Sequence, residues 1–209
     1  EKADGLRHLM YIANTGKVYL IDTNMNVIFT GGKTNNKDCF NTLLDGELIA
    51  CNKLGEFINL FAAFDIYYVN IRSVREFPFV KYLSDEEITD MEDGETVSKK
   101  YRLELLRELI DVMKPTSILE SSSDEVESQE KKRPSGIIVK CKSFYSSHDY
   151  ENIFSACSRK LSDIADGLFE YTTDGLIFTP MDLPMGGAIV NGPPGPLSKS
   201  TWDRSFKWK

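Results

Sequence analysis

Between Leu6 and Asn70 the chain is a succession of short apolar or alternating runs, each closed by turn residues, and this spacing points to antiparallel β-structure. Residues 6–13, 17–22 and 27–30 read as a β-meander, with Asn14, Thr15 and Gly16 forming its first turn and a polar turn forming the second. Residues 42–50 and 58–70 are two further strands, the second rich in aromatic and β-branched side chains.

Helical periodicity takes over at residues 98–114, where Leu103, Leu106, Leu109, Ile110 and Met113 recur on one face between charged positions. Pro115 ends that helix, because proline lacks the amide and clashes with the preceding turn. Residues 116–135 are polar and charged, with too few large apolar groups to offset their ordering entropy, and are predicted to be a mobile acidic surface loop. A strand at 137–142, a helix at 149–165, a strand at 175–179 and a Pro/Gly-rich loop through Pro196 follow. Strand runs interspersed with helices, without strict βαβ alternation, give an α+β domain of antiparallel sheets with flanking helices. The length favours one domain over the whole of 1–209, with enough apolar content (41%) for a sizeable core.

A formal charge of −7 argues against affinity for nucleic acid over the whole surface, so any RNA contact must be local, through cations clustered in a cleft. Cys39, Cys51, Cys141 and Cys157 lie far apart, and only His8 and His148 accompany them; this spacing does not suit zinc and suggests reduced, mostly buried thiols in a cytoplasmic protein. No apolar run approaches the roughly 20 residues of a membrane span, so no membrane partner is expected.

Chemistry concentrates in five places. Lys2, Asp4, Gly5 and Arg7 form a KxDGxR pattern at a strand entrance, where a lysine can act as a covalent nucleophile if nearby cations favour its neutral form; taken alone, the pattern also fits a solvated turn. Asp45, Gly46 and Glu47 interrupt an apolar run, and by themselves read as a hairpin with an Asp-Gly turn whose carboxylates need a cation or solvent. Phe64 and Asp65 sit in an aromatic strand, where the ring can fill a core or stack on a base. Asp174 precedes the apolar run of DGLIFTP. In FKWK, alternation along a strand sends Lys207 and Lys209 to one side, where a polyphosphate would relieve their repulsion.

The ordered set is far more specific than any member. From Lys2 to Lys209 it resembles the covalent nucleotidyltransferase superfamily of capping guanylyltransferases and nucleic-acid ligases, and DGLIFTP and FKWK resemble the capping branch, with a pattern similar to that of large DNA viruses. The resemblance implies a nucleotidyltransferase fold enclosing a nucleotide cleft, and an mRNA guanylyltransferase. Such an enzyme carries GMP from GTP on a lysine to a 5′-diphosphate RNA end, with Mg2+ or Mn2+ as cofactor. It implies that Lys2 is the nucleophile, that Arg7 and Glu47 hold the ribose, and that Phe64 stacks on guanine. Asp174 would bind the metal, Lys207 and Lys209 the phosphates, and Lys142, in VKCKSFY, would read the guanine O6 edge. The family also has residues before its nucleophile and an OB-fold after its last motif, so the chain reads as an excised core of a longer polypeptide. Triphosphatase and methyltransferase domains are common neighbours in the viral branch, where the setting would be a cytoplasmic virus factory or the virion. Two alternatives stay open: an ATP-dependent ligase adenylation domain, and a noncatalytic RNA-end or protein-binding module of the same fold.

Overall fold

The computed structural model describes residues 1–81, 101–118, 136–196 and 202–209. Strands β1 (Leu6–Ile12), β2 (Lys17–Asp22) and β3 (Val27–Lys33) form the expected antiparallel meander. Its first turn closes on Gly16 at φ +78°, where a Cβ would lie 2.0 Å from the Thr34 carbonyl oxygen, so no side chain fits there. β4 (Thr42–Cys51) pairs the other edge of β1, and the 13-residue β5 (Phe57–Val69) pairs β4, both antiparallel. β6 (Arg72–Ser73) follows on β5, and β7 (Thr116–Ser117) closes the opposite edge against β3.

Three local readings are corrected. Asp45-Gly46-Glu47 is not a hairpin turn: it runs straight through β4, opposite Leu9, His8 and Arg7 of β1. Gly46 is required because the Phe61 ring crosses it, and a Cβ would lie 2.5 Å from Phe61 Cζ. The start of the expected loop is a strand, since Thr116 and Ser117 pair with Lys33 and Gly32 through backbone groups whatever their side chains; residues 119–135 lie outside the described residues. The sheets are also not wholly antiparallel: β8 (Ile138–Cys141) runs parallel to β5, pairing Leu60–Ala63 with Ile138–Cys141.

Helix α1 (Arg102–Met113) packs against both β5 and β8. Leu103, Leu106, Leu109 and Met113 are buried with Met10, Ile12, Leu44, Phe61 and Ile66, each large apolar side chain contributing about 1.5–3 kcal/mol of transfer free energy. Lys114, left-handed at φ 33°, and Pro115 end it. Its start has no side-chain cap; instead Arg102 and Leu103 donate their backbone N–H groups to Pro78 and Phe79 carbonyls.

Arg102 itself is wholly buried. It donates to Asp65 through Nε (2.8 Å) and Nη2 (3.2 Å), to the Leu183 carbonyl (3.2 Å) and to that of Phe77, and its guanidinium lies 5.4 Å from the Phe79 ring centroid. The second helix, α2 (Ile153–Ala165), starts later than its periodicity suggested, because Asn152 caps it by accepting from Ser155 N–H. β9 (Leu176–Phe178) and β10 (Phe206–Trp208) form a separate antiparallel pair. The described residues are thus α+β, with a mostly antiparallel eight-stranded sheet and two helices.

Asp65→Ala is expected to cost about 3–5 kcal/mol, because it strands a buried guanidinium. In urea denaturation, the double change Asp65→Leu with Arg102→Met should cost less than the sum of the single changes; strict additivity would show that the pair is not coupled.

Candidate active site

The first residues of the chain are held against a segment 170 positions away. Ala3 bridges Thr173, Lys2 N–H donates to the Gly175 carbonyl (2.8 Å), and Asp174 N–H donates to the Lys2 carbonyl (2.9 Å). This exchange sets the two side chains together: Lys2 Nζ donates to Asp174 Oδ1, and Lys209 Nζ lies 3.3 Å from Oδ2. The Lys2 hydrogen bond holds the Asp174 carboxyl below the usual aspartate range, so the pair persists at neutral pH and parts only as pH falls through that lowered value. Gly175 makes the junction possible. At φ +124° it passes so close to β10 that a Cβ would lie 2.0 Å from the Trp208 carbonyl oxygen.

Beside this cluster opens a cleft of about 640 Å³ whose walls include Glu1 and Leu176, neighbours of Lys2 and Asp174 in sequence. β1 and β4 supply Arg7 and Glu47, directly opposite in the ladder. β5 supplies Phe64 and Tyr67, and each is the extra residue of a register shift against β4: Ala63 and Asp65 pair Gly46 and Asp45, while Ile66 and Tyr68 pair Leu44 and Leu43. Such bulges re-aim side chains that regular alternation would leave elsewhere, and both rings line the cleft.

Arg7 grips Asp45 through Nε (3.1 Å) and Nη2 (2.7 Å), and reaches the Tyr67 hydroxyl (3.3 Å), which itself donates to Asp45. The hydrogen bond to Asp45 pushes the Arg7 guanidinium higher still, keeping it charged. Burial pushes the Asp45 carboxyl up against the pull of Arg7 and Tyr67, and burial together with Asp45 raises the Tyr67 phenol.

Deeper in, Lys142 at the end of β8 donates to Glu47 Oε2 (2.7 Å), lies 3.8 Å from Glu1 Oε1, and sits 5.6 Å from the Phe64 ring centroid. Lys160 of α2 donates to Ser143 Oγ (2.6 Å) and its carbonyl (3.1 Å), and stands 3.5 Å from Glu1 Oε2. Burial lowers the Lys160 ammonium. Tyr171 donates to Glu1 Oε1 (2.9 Å), and burial first, then Glu1, raises its phenol.

A sequence model of the family described as mRNA capping enzyme, catalytic domain, matches residues 1–113, more than half of the chain. The chain belongs to the mRNA capping enzyme family. No curated protein sequence matches it. The matched part of this capping-enzyme domain carries Lys2, Arg7, Glu47 and Phe64, whereas Lys142, Asp174, Lys207 and Lys209 lie beyond it.

Of the side chains picked out in the sequence, Arg7, Glu47, Phe64, Lys142 and Lys207 line the same cleft, while Lys2, Asp174 and Lys209 meet one another beside it and are not among its lining residues. Reading the sequence missed Tyr67, Lys160, Tyr171 and the side chain of Glu1. Lys160 left a signal: it falls on the buried stripe of α2 with Ala156 and Asp163, where an unpartnered ammonium would be costly. Tyr67 left none, because its direction depends on a bulge. The four thiols are free, in line with the reduced state expected, but they are less buried than expected: Cys39 alone is buried, Cys141 and Cys157 are half-buried and Cys51 is exposed.

Gly175→Ala is expected to part β10 from β9 and draw Lys209 off Asp174. Backbone amide exchange of Leu176–Phe178 should accelerate at least tenfold, on the order of one lost backbone hydrogen bond; unchanged protection would mean that the two strands tolerate the side chain.

Proposed function

We propose that this capping-enzyme domain is a GTP:RNA guanylyltransferase of nucleotidyltransferase fold that carries GMP on Lys2. The observation that supports it most is the meeting of Lys2 and Asp174, 172 positions apart, at the edge of a cleft furnished with an aromatic ring, a carboxylate and cations. In this reading Phe64 stacks on guanine, Glu47 and Arg7 take the ribose, Lys142 donates to O6, and Lys207 and Lys209 take the phosphates.

The neutral amine of Lys2 attacks the α-phosphorus of GTP, forming an N–P bond as the P–O bond to pyrophosphate breaks and the amine gives up a proton. The terminal oxygen of a diphosphate RNA end then attacks the same phosphorus, the N–P bond breaks as its nitrogen takes up a proton, and Lys2 is regenerated as the amine. Both steps ask the protein for positioning and charge neutralisation. A divalent cation fits the donor set in one way: among the described residues no three His, Cys, Asp or Glu converge, so Asp174 would hold Mg2+ or Mn2+ with the substrate phosphates and water, as magnesium sites commonly do. Bound there, the ion would supply charge neutralisation at the phosphates. Lys2 and Lys209, which pair with Asp174 in this structure, would then be free to face the nucleotide.

The test is incubation of the native protein with α-labelled GTP or ATP and a divalent cation, followed by denaturing electrophoresis. Label from GTP should stay on the protein and vanish in Lys2→Arg, since arginine keeps its charge and cannot present a neutral nitrogen. Undiminished label in Lys2→Arg would remove the proposal; label from ATP alone would make the domain a ligase adenylation module.

Base recognition divides between two residues. Phe64→Ala should weaken use of GTP by about 1–3 kcal/mol through lost stacking. Lys142→Ala should narrow the preference for GTP over ATP, because O6 accepts a hydrogen bond where adenine presents a donor. Separate kcat/KM values for the two nucleotides measure both effects.

A further inference from the structure

Glu1, Glu47, Lys142 and Lys160 form a closed group of two carboxylates and two ammonium ions behind Phe64. The Glu1 side chain has no exposure to solvent, and Lys142 and Lys160 keep only 4% and 6%. Lys142 is shared unequally, at 2.7 Å from Glu47 and 3.8 Å from Glu1. Glu1 Oε1 accepts from Tyr171, while its buried Oε2 has no hydrogen bond of good geometry and lies 3.5 Å from the Lys160 ammonium. Glu1 thus keeps an oxygen in reserve in this state, and Glu47 holds Lys142 at hydrogen-bond distance.

If Glu47 takes the ribose hydroxyls, its partner here is lost at the moment the base arrives. A buried ammonium with no carboxylate would be strongly disfavoured and would shed its proton, yet Lys142 must stay charged to donate firmly to a guanine oxygen. Among the described residues, Glu1 is the other carboxylate within ion-pair range of Lys142.

We propose that Glu1 is a positioning residue for base selection: its hidden carboxylate takes over Lys142 when Glu47 engages the sugar, and keeps that ammonium charged and aimed at the O6 edge of the purine. Lys160 and Tyr171 hold the carboxylate in place from α2 and from the segment before β9. The proposal rests on the assignment of Lys142 to O6. The charged and titratable groups near Lys142 are then Glu47 from β4, the carboxylate and the α-amino group of Glu1 from the segment before β1, and, through Glu1, Lys160 and Tyr171. Removing the Glu1 charge takes one carboxylate from a buried cluster that holds two lysine ammonium groups, which disfavours the cluster's charged form.

The experiment measures kcat/KM for GTP and ATP in self-labelling of the native protein with Glu1→Gln, Glu1→Asp and Lys142→Ala, from about pH 6 to about pH 9, below the ordinary lysine value of about 10.4, with thermal melting of each variant. Glu1→Gln should reduce the GTP-over-ATP preference about tenfold or more, the worth of one charge-assisted hydrogen bond. The loss should deepen as pH rises and recede as pH falls, and Glu1→Asp should restore much of the preference. A Glu1→Gln protein that melts normally and keeps the preference at every pH, while Lys142→Ala loses it, overturns the role of Glu1. Lys142→Ala with undiminished preference overturns the O6 assignment itself and the proposal with it. If Glu1→Gln lowers the use of both nucleotides equally at all pH values, Glu1 is structural and the proposal fails.

Discussion

The buried pair of Arg102 and Asp65 is the joint on which the site depends. Asp65 sits one residue past Phe64 in a strand that slips register at this point, and Arg102 is the first residue of the helix packed behind that strand. A charge pair taken out of water is weak support for stability against an apolar substitute, but breaking it from one side is severe. It is therefore suited to fixing one arrangement over others. Here it fixes helix against strand, and the strand's irregular part against the helix, so that Phe64 and Tyr67 face the cleft. The same guanidinium also holds the Phe77 and Leu183 carbonyls, tying in the segments that run along the cleft's other side.

Charge inside the cleft is organised differently from charge on the chain as a whole. The formal total is −7, yet most cations at the cleft already have carboxylate partners: Arg7 has Asp45, Lys142 has Glu47 and more distantly Glu1, Lys160 has Glu1, and Lys2 and Lys209 share Asp174. In the proposed reading, an anionic nucleotide would exchange partners with pairs already formed, the carboxylates holding the cations in fixed positions until phosphate, sugar and base take them over. Such preorganisation would limit the reorganisation left for the reacting step.

Much of the fold is legible along the chain. The meander, the long aromatic strand and the helix ended by Pro115 follow from local periodicity and turn chemistry, and they form where that periodicity places them. Misreadings arose where backbone pairing or packing overrode local character. Asp45-Gly46 has the composition of a turn but continues as strand because β1 and β5 pair it on both sides. Thr116 and Ser117 lie in a polar stretch but complete the edge of β3. The parallel placement of β8 has no local signature at all, since the direction in which a strand joins a sheet is set by pairing with a distant partner, here β5.

The residue types of the site, and their order from Lys2 to Lys209, are properties of the sequence alone, and they sufficed to indicate the family because each chemical task demands a particular side chain. What only the tertiary structure decided is which of those groups meet. Lys2 finds Asp174 through two backbone hydrogen bonds across 172 positions, Phe64 and Tyr67 turn inward through bulges that periodicity cannot encode, and Glu1 becomes a buried counter-ion because α2 and β8 bring two lysines to it. Local sequence specifies dihedral preference and polarity over a few residues; the pairing of distant charges depends on register and packing, which are set by the whole core at once.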